Sequence, residues 1–132
     1  MYSAMDISAS GLVAQRIRLN SIAMNIANAD SVDSPEGGPY RRRSVIFEAG
    51  MHSGDRGDRG VHVSEIKKEP VFRWKHQPNH PYANEQGYVK LPGINHLVEM
   101  VNGMEAGRAY EANLAAMEMT RTMTDNTIRL LA

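Results

Sequence analysis

Leu19-Asn20-Ser21-Ile22-Ala23-Met24-Asn25-Ile26-Ala27-Asn28 closes the first periodic segment of the chain, and its mixture of apolar and amide positions decides how the rest is read. Met5, Leu12, Leu19 and Ile26 recur at intervals of seven, and Ile22 and Ala23 fill neighbouring positions, the spacing of a helix that packs on other helices. Asn20, Asn25 and Asn28 interrupt that ladder. Amides beside an apolar seam cost helix propensity and desolvation, so they point to hydrogen-bonded partners that fix register.

Upstream, Ser3 stands three positions before Asp6, a capping-box-like start for a helix over about residues 3 to 30. Gly11 lies inside it and costs about 1 kcal/mol relative to alanine. The first residues carry neither a positive n-region nor an uninterrupted apolar run, so a cleaved secretory signal is not expected. No stretch approaches the roughly 20 apolar residues of a spanning helix.

Downstream, residues 31–94 hold all six prolines. Val45-Ile46-Phe47, Val61 to Ile66, Val71 to Trp74 and Tyr88 to Leu91 read as short strands between turn signals, predicting one small antiparallel sheet. Gly50 to Gly60 reads as a loop, and the Arg56-Gly57-Asp58 adhesion tripeptide within it as chance.

From Asn95, a helix cap, to the end no proline follows, and Glu99 suits the first turns of a helix dipole. Ala109, Ala112, Ala116, Met119, Met123 and Leu130 form one stripe; Tyr110, Leu114, Met117, Ile128 and Leu131 form a second. Two stripes on a helix about 50 Å long imply more than one neighbouring helix. The expected architecture is α+β: residues 1–30 and 95–132 as paired terminal helices, and residues 31–94 as a small β-rich outer domain.

Composition agrees with thin helices rather than a thick core. Of 132 residues, 42% are hydrophobic but only 6% aromatic, and nine methionines supply adaptable apolar surface. Fifteen basic and fifteen acidic residues balance, which argues against nucleic acid as a partner. With no cysteine there is no disulfide or thiolate chemistry. A helix pair of this kind leaves apolar faces in water, so the core should be completed by assembly.

Ser10-Gly11-Leu12-Val13-Ala14-Gln15-Arg16-Ile17-Arg18-Leu19-Asn20-Ser21-Ile22-Ala23-Met24-Asn25-Ile26-Ala27-Asn28 resembles the N-terminal signature of the bacterial flagellar rod and hook proteins. Pro35 to Arg43, His80-Pro81 with Gly87 to Pro92, and Arg108-Ala109-Tyr110-Glu111-Ala112-Asn113 are similar to a short proximal-rod subunit within that family. Gln77 and Gly107 depart from the residues common at their places. The resemblance covers nearly the whole chain. It implies a non-enzymatic subunit of a helical tube, with no cofactor and no metal, that transmits torque from the membrane motor toward the hook. The implied partners are copies of itself, other rod subunits, the rod-base adaptor protein and the flagellar type III export apparatus. It implies a place in the basal-body rod, spanning the periplasm, reached by export without a cleaved signal and without membrane insertion. The competing class is a coiled-coil adaptor or export-associated module that does not polymerise.

The expected assembly interface comprises the ladder Met5, Leu12, Leu19, Ile22 and Ile26 with Asn20, Asn25 and Asn28, and Tyr110, Asn113, Leu114, Met117, Ile128 and Leu131 of the last helix. Asn20 and Asn25 are expected to bond an adjacent helix or subunit, and Asn28 to end the helix. Arg41, Arg42 and Arg43 join the interface as inter-subunit ion pairs, against a solvated strand edge as the alternative. His76 and His80 are four apart, but Pro78 and Pro81 deny them a shared helical face, favouring an ordered turn over a metal site.

Overall fold

The computed structural model describes residues 2–50 and 60–131. Two helices, α1 (Tyr2–Ala27) and α2 (His96–Leu131), bracket four strands, β1 (Arg42–Ala49), β2 (Val61–Glu69), β3 (Phe72–His76) and β4 (Tyr88–Pro92). This is the α+β arrangement read from the sequence. The Gly54 and Gly57 loop signal and the Arg56-Gly57-Asp58 tripeptide lie outside the described residues.

The helices run antiparallel. Asn25 meets Glu99, Ile22 lies beside Gly103, Arg18 pairs with Glu105 and Gly11 faces Asn113. Each step down α1 is thus matched by a step up α2, and α1 runs out opposite about position 122 of α2. The last turns of α2 overhang its partner. At 1.5 Å per residue the two helices are about 39 and 54 Å long, and the difference is this overhang.

Local chemistry explains the helix ends. Asn95 Oδ1 accepts the amides of Leu97 (3.0 Å) and Val98 (3.4 Å), satisfying first-turn donors that have no intrahelical partner. At the same end of the pair, Asn28 donates its side-chain amide to Met24 O at 2.8 Å and closes α1. Helix α1 already includes Ser3, one residue ahead of the start expected, within the usual spread of helix boundaries.

The strands form two separate two-stranded ladders, β1–β2 and β3–β4, rather than the single sheet expected. Pro70 stands between them; with no N–H to donate it ends the β2 ladder and turns the chain away. The first hairpin slips register between Ile46 and Phe47, a bulge that increases twist, and it lies along α1. Its open end is held by Asn25 and Ser21, and its far end by Ser10 Oγ, which accepts the Val61 amide at 3.1 Å. Fifteen helical residues from Ser10 to Asn25 span about 22 Å; six strand steps from Arg43 span about 20 Å. The lengths match, so one hairpin can be fastened at both ends. Gly60, at φ 116°, approaches Ser10 so closely that a Cβ there would collide with its hydroxyl.

The second hairpin is closed at its base by Gly93, whose amide donates to Val71 O at 2.8 Å. At its tip, Asn84 Oδ1 accepts the amides of Gln86 (3.0 Å) and Tyr88 (2.8 Å). His80 takes part in the ordered turn, with Nδ1 accepting the Tyr82 amide at 3.2 Å. Val89 and Leu91 are buried, and a small cluster of Ala29, Tyr40 and Ile94 joins the helices' ends to the strands.

Candidate assembly surface

The centre of the molecule is polar. Glu99, Val89, Asn25 and Pro92 are the largest fully buried side chains. Asn25 uses its whole amide: Nδ2 donates to Arg43 O (2.8 Å) and Glu99 Oε2 (3.0 Å), while Oδ1 accepts from Arg43 N (2.9 Å) and Tyr40 Oη (3.2 Å). One side chain thereby joins α1, α2, β1 and the segment before β1. Burial raises the Tyr40 pKa, which keeps the phenol protonated as the donor this bond needs.

Beside it, Arg42 bridges two acids. Its Nε and Nη2 reach Glu99 Oε1 at 2.8 and 2.7 Å, and Nη1 reaches Glu69 Oε2 at 3.0 Å. Burial alone would lower the Arg42 pKa, but the bonds and charges of Glu99 and Glu69 outweigh it and the net shift is upward. Glu69 is held below the ordinary carboxylate value by the Ser44 hydroxyl (2.9 Å), against the opposing effect of burial, and then by Arg42. A buried ion pair adds little net stability but is costly to break from one side, so this cluster defines geometry more than it adds strength.

Of the three arginines expected to bond other subunits, Arg42 is thus engaged inside the chain. Arg43 lies 5.7 Å from the Tyr40 ring centroid with Nη1 3.8 Å from Met24 Sδ, and Arg41 is exposed. Glu99, which the sequence reading assigned only to the helix dipole, is a principal member of the cluster. Its signal was an acid alone in the apolar run Leu97-Val98-Glu99-Met100-Val101.

That run is inverted relative to an ordinary amphipathic helix. Glu99 is 1% exposed, whereas Leu97, Val98, Met100, Val101 and Met104 are 51–70% exposed. The inner face of α2 is made of Glu99, Gly103, Ala106 and Asn113, small or polar groups that let α1 come close. Gly11 is the counterpart on α1: a Cβ there would lie 2.8 Å from Asn113 Nδ2, so the glycine that weakens the helix is what admits the neighbouring amide.

The interface residues expected from sequence are distributed across both faces. Met5, Leu12, Leu19 and Ile26 are half-buried along the flank of α1, while the tight line is Gly11, Ala14, Ser21, Ile22 and Asn25. Asn20 is exposed, and Asn28 is spent on its own helix end. On α2, Tyr110, Asn113 and Met117 are half-buried; Leu114, Ile128 and Leu131 are exposed. The overhang carries Met123, Ile128, Leu130 and Leu131, all 59–87% exposed. Among the described residues no three or more His, Cys, Asp or Glu are grouped to hold a metal ion, and no helix is long and apolar enough to cross a membrane.

Terminal helices paired to each other, with apolar faces turned outward and a small β insert between them, agree with the architecture implied by the resemblance to axial proteins of the flagellar rod class. Two family models of that class match: "Flagella basal body rod protein" over residues 5–33, and "Flagellar basal body rod FlgEFG protein C-terminal" over residues 85–130. Among curated relatives, flagellar basal-body rod protein FlgC of Aquifex aeolicus is 43% identical, over 96% of this chain and 94% of its own length. FlgC of Salmonella typhimurium is 39% identical (98% and 97%), and that of Borreliella burgdorferi 34% (99% and 97%). The chain belongs to the FlgC family of flagellar basal-body rod proteins. It is a structural rod subunit of the flagellar basal body.

Proposed function

We propose that this subunit transmits torque by lending the two ends of α2 to different neighbours in a tube wall. The observation that carries the reading is the placement of its unpartnered apolar side chains: Leu97 to Met104 at one end of α2 and Met123 to Leu131 at the other. Val101 and Leu130 are separated by about 44 Å of one rigid helix, so the two patches cannot cover each other within a molecule. Contacts between unlike patches are heterologous and repeat into a filament. Each large apolar side chain is worth about 1.5–3 kcal/mol when buried, so covering five that are about half exposed contributes on the order of 5 kcal/mol. That equals the net stability of many whole domains, enough to hold a tube under load.

The same reading divides the chain into axial helices at residues 1–30 and 95–132 and an outer domain at residues 31–94. Its partners are copies of itself, other rod subunits and the rod-base adaptor. Delivery is through the flagellar type III export apparatus, without a cleaved signal, to a rod that spans the periplasm. The role is mechanical, not enzymatic. The test is Val101→Glu and Leu130→Glu, singly, with export and helicity checked. Each variant should be exported and helical yet absent from isolated hook-basal bodies, leaving cells non-motile. Normal incorporation and swimming with both charges in place would overturn the reading.

A further inference from the structure

We propose that the outer face of the β3–β4 hairpin is a binding platform for an uncharged glycan strand. In the antiparallel register Phe72 lies opposite Pro92, Trp74 opposite Lys90 and His76 opposite Tyr88. Side chains alternate along a strand, so these six share one face, buried at Pro92 and open to solvent toward Trp74, His76, Tyr88 and Lys90, and the other face carries the buried Val89 and Leu91. The chain has only eight aromatic residues, one of them tryptophan. Three stand on this face and Trp74 is 59% exposed.

The neighbours of the two central rings are already engaged. Lys90 Nζ sits 4.2 Å from the Phe72 ring centroid, and His76 meets Tyr88 edge-on at 5.0 Å. What remains is an open cleft of about 350 Å³ lined by Trp74, Tyr88, Asn84 and Gln86 alone. Its size falls within the roughly 300–1,000 Å³ of small-ligand sites. The lining consists of two rings and two amides, with no aliphatic and no charged side chain. Asn84 Oδ1 is occupied by two backbone amides, which fixes the side chain and leaves its NH2 to donate.

That chemistry selects the ligand. A protein hot spot sets its aromatics among aliphatic and arginine side chains, and a single-stranded nucleic acid needs cations along its track; the cleft has neither. Pyranose rings present C–H faces that stack on indole and phenol rings, with hydroxyls at the edge that bond amides, the indole N–H and the phenol. Aromatic groups with a polar handle suit such half-apolar ligands.

Because Trp74 is the sole tryptophan, its emission in the full chain reports the cleft directly. Titration with chitotetraose or cellotetraose should shift and saturate that emission. Gln86→Ala should weaken binding about fivefold, the effect of one hydrogen bond, and Tyr88→Ala more than about tenfold. Lys75→Ala, on the other strand face, should leave it unchanged. Far-ultraviolet circular dichroism checks the fold of each variant, and affinity electrophoresis follows Trp74→Phe. Absence of saturation up to about 10 mM of either sugar, or binding undiminished in Gln86→Ala and Tyr88→Ala, overturns the proposal. So does an emission change that follows chain concentration alone, which would mean that a second copy covers Trp74.

Discussion

Replacing Asn25 by leucine should destabilise the subunit by about 3 kcal/mol, although leucine is the better helix former. The substitution removes all four hydrogen bonds of the amide. Arg43 N and O are part-buried and water can recover much of their loss. Tyr40 Oη and Glu99 Oε2 lie in residues 8% and 1% exposed, where each unsatisfied group costs about 1–3 kcal/mol. Those two losses total about 4 kcal/mol; apolar burial of leucine returns about 1–2, and the part-buried backbone groups restore the balance toward 3. Urea denaturation followed at 222 nm measures this as a lower midpoint at unchanged slope, and thermal unfolding as a fall of roughly 10 °C for a chain of this size. Asn25→Asp is the sharper control. It keeps the shape and the acceptor for Tyr40 and Arg43 N, but points a carboxylate at Arg43 O and Glu99. Burial and Glu99 raise the pKa of that new acid in the folded state, so its stability is fully present below the unfolded value and is lost as pH rises through the folded one. A leucine variant within 0.5 kcal/mol of the parent, or an aspartate variant whose stability deficit relative to the parent does not shrink in acid, would refute the reasoning; ordinary surface changes are within about 0.5 kcal/mol.

Arg42→Met leaves Glu99 buried without its cation and should cost about 3–5 kcal/mol in the same urea assay, whereas Arg42→Met with Glu99→Leu should recover most of that loss. The depressed pKa of Glu69 means that its contribution is present above the unfolded carboxylate value near 4.5 and is lost as pH falls through the lower folded value; Glu69→Gln should remove that part of the acid slope in pH-dependent melts. Gly11→Leu should separate the helices at Asn113, reducing Tm while raising the intrinsic helicity of a peptide of residues 2–27, and an unchanged Tm would contradict the close approach seen there. In dilute monomer, hydrogen exchange should be slowest near Asn25 and Glu99 and fastest over 123–131, the overhang with no α1 beside it; uniform protection along α2 would argue against assembly as what covers its end.

Much of this architecture was legible in the amino-acid sequence because it rests on local signals. The seven-residue ladder, the Asn95 cap, the proline-rich middle and the proline-free last segment each act within a few residues, and they determine two terminal helices around short strands. The excess of apolar stripes over available partners likewise leads to the expectation of a core finished by assembly. Which face meets which neighbour is a different kind of property. Met5, Leu12, Leu19 and Ile26 stand on the flank, while Gly11, Ala14, Ser21, Ile22 and Asn25 make the close contact, because packing distance is set by the smallest groups and only the assembled pair shows where they coincide. Taken alone, Glu99 read as a helix-dipole charge and Arg42 as an inter-subunit cation, since pairing across 57 residues leaves no trace in local spacing. The sequence by itself determined the helices and the strands and gave reason to expect partners; the tertiary structure alone decided that Asn25, Arg42 and Glu99 close on one another inside while the large apolar side chains of α2 face outward, because a satisfied polar network can be closed within one chain whereas the apolar surface of α2 is more extensive than α1 can cover.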